Sequence, residues 1–283
     1  NITPEKDGVD AIFGERQVNS FTAGEQDRLD MAGLNDGSYV IVWDSAGQDG
    51  FGTAVMAQRY DANGVIIGPE FQVNTKTIGS QFDPSVASLN DGGFIVTWTD
   101  DSLDGSSWGV VGQRFDASGN AIGGEFTVNS TISGSQYQSS VAGLGGGGFV
   151  VAWRDDSGTN DSGVGVKAQR YDASGNTLGA EFVVNSTILS SQYEPSVVGL
   201  AGGGFVVTWR DDATDGSSAG VFGQIYTAAG VTEGGEFQVN TNTVNSQYRP
   251  SVGALTDGGF VVTWRDDSGQ DGSADGVYAQ RYD

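Results

Sequence analysis

Residues 258–264 read GGFVVTW: a two-glycine turn, then an alternating apolar strand ending on Trp264. Phe260, Val262 and Trp264 face one way, Val261 and Thr263 the other. Both faces are mostly apolar, as a strand covered on two sides requires. Versions of the same string occur four more times. Their tryptophans, Trp43, Trp98, Trp153, Trp209 and Trp264, stand 55, 55, 56 and 55 residues apart. A fixed period of this size marks a repeat architecture whose units bury their apolar faces on one another. The five tryptophans are therefore read as core.

Outward from that strand, the last unit opens with EFQVN (236–240), a short alternating strand. PSVGAL (250–255) follows, then the Asp257-Gly258 turn and GGFVVTW. An acidic, glycine-rich loop (266–276) leads to VYAQRYD (277–283). Four short strands joined by hairpin-length loops make a propeller blade. No segment carries a 3.6-residue apolar period, so almost no helix is expected. The predicted fold is all-β: a five-bladed β-propeller with four antiparallel strands per blade, PSVxxL innermost and EFQVN outermost. An outermost-type strand (Glu15 to Asn19) precedes the first full unit, and the fifth ends on its third strand. The ring is thus expected to close by the N-terminal strand joining the C-terminal three, which leaves no free edge. Residues 1–14 are a lead-in and 15–283 a single domain, expected to be monomeric.

Net charge is −23, with 13 basic residues, no cysteine and no histidine. Disulfides, thiolate sites, imidazole-ligated zinc and histidine general bases are excluded. Nucleic acid and anionic membranes are poor partners for such a surface. No apolar run approaches the ~18 residues of a membrane span, so no direct insertion is expected. The sequence starts at Asn1 without Met, and is read as part of a larger protein.

The loops between second and third strands are long and acidic, with D-D-S-x-x-D-G-S in the fifth unit (266–273) and variants of it in the second to fourth. Asp101, Asp104, Asp156, Asp161, Asp212, Asp215, Asp267 and Asp271 are the candidate calcium ligands, because carboxylates, hydroxyls and freed carbonyls crowd together there. The other reading is that Asp and Gly are simply good turn residues. Trp108 and Phe51 have no counterparts in the other units. Each is either a sugar platform or a cap on a neighbouring loop. The repeated glutamines Gln81, Gln136, Gln192 and Gln247 either supply hydrogen bonds to buried backbone or touch a ligand. Arg59, Arg114, Arg170 and Arg281 each precede an Asp by two residues, which suggests Arg–Asp pairs within a blade. Two residues after each repeated Gln, near the channel mouth, stand Arg28, Asp83, Gln138, Glu194 and Arg249. Asp30, Asp83 and Glu194 form the best candidate catalytic trio, since two carboxylates suffice for glycoside cleavage.

The string GGFVVTWxDDSGxDGSxxGVYAQRYDAxGxxxGxEFQVNT resembles a repeat of very long secreted bacterial proteins. Those proteins often also carry hemolysin-type (RTX) calcium-binding nonapeptides and adhesin modules. The resemblance covers residues 15–283 and implies a secreted or cell-surface setting. No nonapeptide array is present, so calcium rolls do not carry over. In architecture the chain is also similar to five-bladed lectins of the tachylectin type, although their sugar-binding residues cannot be matched to positions here.

Three functions follow as expectations. The first is a non-catalytic extracellular adhesion module binding a glycan or surface polymer, stabilised by calcium. The alternatives are a glycoside-cleaving enzyme using carboxylates at the channel mouth, and a ligand-free spacer of a giant surface protein.

Overall fold

The computed structural model describes residues 14–102, 107–158, 163–188, 190–212, 215–216, 218–270 and 272–283. It contains five antiparallel sheets in chain order, one per repeat. The first holds β1 (Gln26–Gly33), β2 (Tyr39–Ala46), β3 (Thr53–Tyr60) and β4 (Ile66–Gln72), side by side in that order. The second holds β5 (Gln81–Ser88), β6 (Phe94–Asp100), β7 (Gly109–Phe115) and β8 (Ala121–Thr127). The third holds β9 (Gln136–Gly143), β10 (Phe149–Asp155), β11 (Gly165–Tyr171) and β12 (Phe182–Val183). The fourth holds β13 (Gln192–Gly199), β14 (Phe205–Asp211), β15 (Gly220–Tyr226) and β16 (Thr232–Gln238). The fifth has three strands: β17 (Gln247–Ala254), β18 (Phe260–Asp266) and β19 (Gly276–Tyr282). No helix occurs among the described residues. The inner strands β1, β5, β9, β13 and β17 neighbour one another in sequence order, so the sheets stand as five blades.

The core lies between blades, as the two-faced second strand requires. One cluster joins Val42, Val55 and Val73 of the first blade to Phe94, Val96 and Trp98 of the second. Trp153, Trp209 and Trp264 sit in the equivalent clusters against their preceding blades. All five tryptophans are 0–7% exposed. Trp43 has a smaller setting, with Ala54, Met56, Val18 and Ile41.

The repeated amides hold the crossing between outer and inner strands. Asn129 Oδ1 accepts from Val110 N at 2.8 Å, while its Nδ2 donates to Thr131 O at 2.8 Å and Gln136 Oε1 at 3.0 Å. Asn74, Asn185 and Asn240 repeat the pattern with Gln81, Gln192 and Gln247. These four glutamines are 0% exposed. Their side-chain nitrogens donate to backbone carbonyls at this crossing, among them Ile78 O, Ser133 O and Val244 O, which is the structural one of the two roles open to them.

Three of the strand-three arginines reach across to the next blade. Pairs within the blade form as well: Arg281 lies 3.2 Å from Asp283, as the spacing suggests, and 2.6 Å from Asp257, and Arg114 lies 3.3 Å from Asp91. Arg59 donates to Ala117 O and Ser118 O, Arg114 to Ala173 O, and Arg170 to Ala228 O and Ala229 O. The turn they grip needs glycine: at Gly175, φ is +86° and a Cβ would sit 3.2 Å from Arg114 Cδ. Asp116 and Asp172 instead close their own turns, accepting from the backbone of Asn120 and Asn176.

Residues 14–19 form no strand, and the fifth blade lacks a fourth strand among the described residues. Val18 packs near Trp43 on the first blade, and Arg16 lies 4.5 Å over the Tyr60 ring. The edge valine of β19, Val277, is 85% exposed. The expected closing pair is therefore not formed here.

Candidate functional site

Each inner strand carries a bulge two to three residues after its first Gln, where its register against the second strand slips. Bulges re-aim side chains. The residues at this point, Arg28, Asp83, Gln138, Glu194 and Arg249, all have left-handed backbone, with φ of 46°, 54°, 54°, 53° and 54°. Non-glycine residues adopt this conformation at a cost and concentrate it at functional positions. Together with the residues that follow them, they line a mouth of about 340 Å³ where the five blades meet. The backbone device repeats five times, while the side chains it presents differ.

A belt of cations and aromatic rings runs around this face. Arg154 stands 4.5 Å over Tyr137 and 4.4 Å over Tyr193; Arg210 stands 5.4 Å over Tyr193; Arg265 stands 4.9 Å over Tyr248. The first blade breaks it. Where the others place Phe82, Tyr137, Tyr193 and Tyr248, it has Asp27; where they place Thr99, Arg154, Arg210 and Arg265, it has Asp44.

These two acids line a cleft of about 370 Å³ between the first and second blades, together with Glu25, Arg28, Phe82, Asp101 and Trp108. Asp44 is 5% exposed, and its Oδ1 is buried without a hydrogen-bond partner among the described residues. Its Oδ2 accepts from Asp83 N at 3.4 Å and lies 4.0 Å from Arg28 Nε. Burial pushes the Asp44 carboxyl up to about 7, with the Asp83 charge adding to the rise and Arg28 opposing it. Asp83 is also raised by burial, but its Oδ1 is 3.2 Å from Arg28 Nη1, which favours its anion. Burial thus raises both neighbouring carboxyls, and the Arg28 guanidinium opposes the rise at each. Trp108 forms a wall of the cleft, edge-on to Phe82 at 5.3 Å and to Tyr137 at 5.1 Å.

Of the expected catalytic trio, Asp83 and Glu194 line the mouth and Asp30 does not. Asp30 Oδ2 accepts from Ser85 Oγ at 3.1 Å and Val86 N at 2.9 Å of the second blade. Ser85, Ser140 and Ser196 do the same for Val141, Val197 and Val252 of their next blades. Asp30 is therefore a strut between blades. Glu194 Oε2 accepts from Arg249 N at 2.7 Å. Phe51 is exposed and does not line the cleft. Asp27 and Asp44 were not singled out from the sequence, although unit-by-unit alignment marks both as departures peculiar to the first blade.

The described loop acids are engaged elsewhere. Asp156 pairs with Arg154 at 2.9 and 3.1 Å, and Asp212 with Arg210 at 2.6 Å. Asp101 and Asp267 accept from Ser80 N and Ser246 N, at 2.7 and 2.5 Å, and Asp215 from Ser218 N at 3.1 Å. Asp104, Asp161 and Asp271 lie outside the described residues. No group of three or more acids is arranged to hold a metal among the described residues. At Asp156 and Asp212 a guanidinium supplies the positive charge.

No family model matches the chain, and no curated protein does. Solved structures share its fold. A protein of unknown function from Dyadobacter fermentans superimposes with a TM-score of 0.63 at 11% identity, covering 90% of this chain and 78% of its own. The GH93 α-L-arabinofuranosidase of Fusarium graminearum, in complex with arabinobiose, gives 0.57 at 10% identity, with coverage of 89% and 79%. The Penicillium chrysogenum α-L-arabinanase, also with arabinobiose, gives 0.54 at 12% identity, with coverage of 92% and 94%. The chain is thus a five-bladed propeller-type fold similar to those of glycosidases. This finding overturns the expectation of a non-catalytic adhesion module and favours the carboxylate alternative.

Proposed function

We propose that this protein cleaves glycosidic bonds in the cleft between its first and second blades. The observation that carries the proposal is the break in the belt: one blade of five replaces an aromatic ring and a Thr or Arg with Asp27 and Asp44. Asp44, protonated up to about pH 7, gives its proton to the departing sugar oxygen. Asp83, kept anionic by Arg28, acts as base or nucleophile on the sugar carbon or its attacking water. Arg28 lies 5.2 Å over the Phe82 ring, which fixes its guanidinium. Trp108 presents an apolar face to sugar C–H groups. The neighbours crystallised with arabinobiose make pentose-containing glycans the first substrates to try.

The test is hydrolysis of arabinan and of an aryl α-L-arabinofuranoside by the wild type, Asp44→Asn and Asp83→Asn. Each variant should lose at least ~100-fold in kcat while remaining folded. Activity that survives both substitutions would remove these residues from the chemistry.

The reading includes a closed ring in a secreted or surface setting. In four blades a valine of the outer-strand segment donates to its third strand, as Val73 N does to Val55 O at 2.8 Å, and the following Asn accepts from the same valine, as Asn74 does from Val55. Val18 and Asn19 are the equivalents for Val277. A disulfide joining Val18→Cys to Val277→Cys within one chain would test closure, and a crosslink only between chains would refute it.

A further inference from the structure

A second cleft, of about 250 Å³, opens between the third and fourth blades. Its lining comprises Gln138, Arg154, Tyr193, Glu194, Arg210 and Asp212. Gln138 and Glu194 also line the axial mouth, and Arg28 lines both the mouth and the cleft at Asp44. The three openings therefore adjoin through shared residues. We infer that this second cleft binds the remote part of the same glycan chain, so that the substrate is an oligosaccharide rather than a single capped sugar. The inference rests on the glycoside reading above.

Two buried polar atoms in this cleft lack hydrogen-bond partners among the described residues: Gln138 Oε1, an acceptor, and Arg210 Nε, a donor. Leaving such groups unpaired is costly, and a ligand offering both a donor and an acceptor satisfies both. A sugar hydroxyl is both at once. The charge balance points to a neutral ligand. Arg154 and Arg210 are already paired to Asp156 and Asp212, and Glu194 adds a further negative charge. Tyr193 has two guanidiniums over it, Arg154 at 4.4 Å and Arg210 at 5.4 Å, so it is not open as a stacking platform. Recognition here is by hydrogen bonds, whereas Trp108 at the other end offers apolar contact. The strained backbone at Gln138 and Glu194, with φ of 54° and 53°, directs both side chains to the shared rim.

Binding by calorimetry separates this inference from the catalytic one, because it needs no turnover. Arabino-disaccharide and arabino-hexasaccharide are titrated into Asp44→Asn protein, alone and combined with Gln138→Ala or Arg210→Met. The hexasaccharide should bind the Asp44→Asn protein about tenfold more tightly than the disaccharide, and either added substitution should erase that gain, the scale of one lost hydrogen bond to a buried group. Thermal melts establish that each variant is folded. Equal affinity for the two lengths, or an undiminished gain in both added variants, overturns the inference, as does failure of either sugar to bind. A length-dependent gain lost in the variants, in a protein whose wild type cleaves neither sugar, keeps the second cleft and removes the hydrolase.

Discussion

Replacing Asp44 with Asn should make the protein more stable and inactive, and the stabilisation should depend on pH. The Asp44 carboxyl is raised from an ordinary 3.8 to about 7 by burial. Below pH 3.8 the folded and unfolded states both hold the proton, and the group contributes nothing. Between 3.8 and about 7 the folded state keeps a proton that the unfolded state has released. Stability therefore falls as pH rises, by about 1.4 kcal/mol per unit. Over that window the cost reaches about 4 kcal/mol and stays constant above pH 7. Asn cannot ionise, and its carbonyl oxygen can still accept from Asp83 N. The gain from the substitution should thus be about 3 kcal/mol larger at pH 8.5 than at pH 4.5. Urea unfolding of both proteins at the two pH values reads this directly, because every other titrating group is common to them. The same residue should set the alkaline limb of kcat/KM near pH 7 in the wild type. An identical stability difference at both pH values would refute the raised pKa and, with it, the acid role.

The remaining predictions concern the scaffold and its loops. Asn129→Ala leaves the buried Val110 N–H and Gln136 Oε1 short of a partner and should cost about 3 kcal/mol in urea unfolding; a loss under 1 kcal/mol would mean that water replaces the amide. Arg114→Met removes the contact to Ala173 O that joins the second blade to the third, together with the pair to Asp91 within its own blade. About 2 kcal/mol should be lost, with little salt dependence if the carbonyl contact dominates. With guanidiniums pairing Asp156 and Asp212, calcium should raise the melting midpoint of chelated protein no more than magnesium does. A calcium-specific rise saturating at several ions would return the loop acids to a metal role.

Much of the fold was legible because the repeat reports the same constraint five times. The GGFVVTW strand needs apolar cover on both faces, and only neighbouring blades supply it; the buried tryptophans follow. The bulged start of each inner strand was not legible. Its residues read as a polar link, yet the strand pairs from Gln81 or Gln247 onward and merely slips register. The contacts of Arg59, Arg114 and Arg170 to the next blade were not legible, since two-residue spacing reports a shared strand face and carries no information about the neighbouring blade.

The carboxylates show the same division. Asp30 looked like a catalytic acid because it stands near Asp83 and Glu194 in the repeat. It aligns with Ser85, Ser140, Ser196 and Ser251, and in three dimensions it does those serines' work of accepting a neighbour's backbone N–H. Asp27 and Asp44 could have been found by the opposite test, as acids where the other units have aromatic, threonine or arginine side chains. By itself the sequence determined the repeat, the strand order, the buried face and the absence of thiol and imidazole chemistry, because these depend on residue type and local period. Only the tertiary structure decided which carboxyl is buried, which one an arginine neutralises and which loop acids are already paired. Burial and Coulomb interactions act between residues from different blades, at separations set by how the sheets stack.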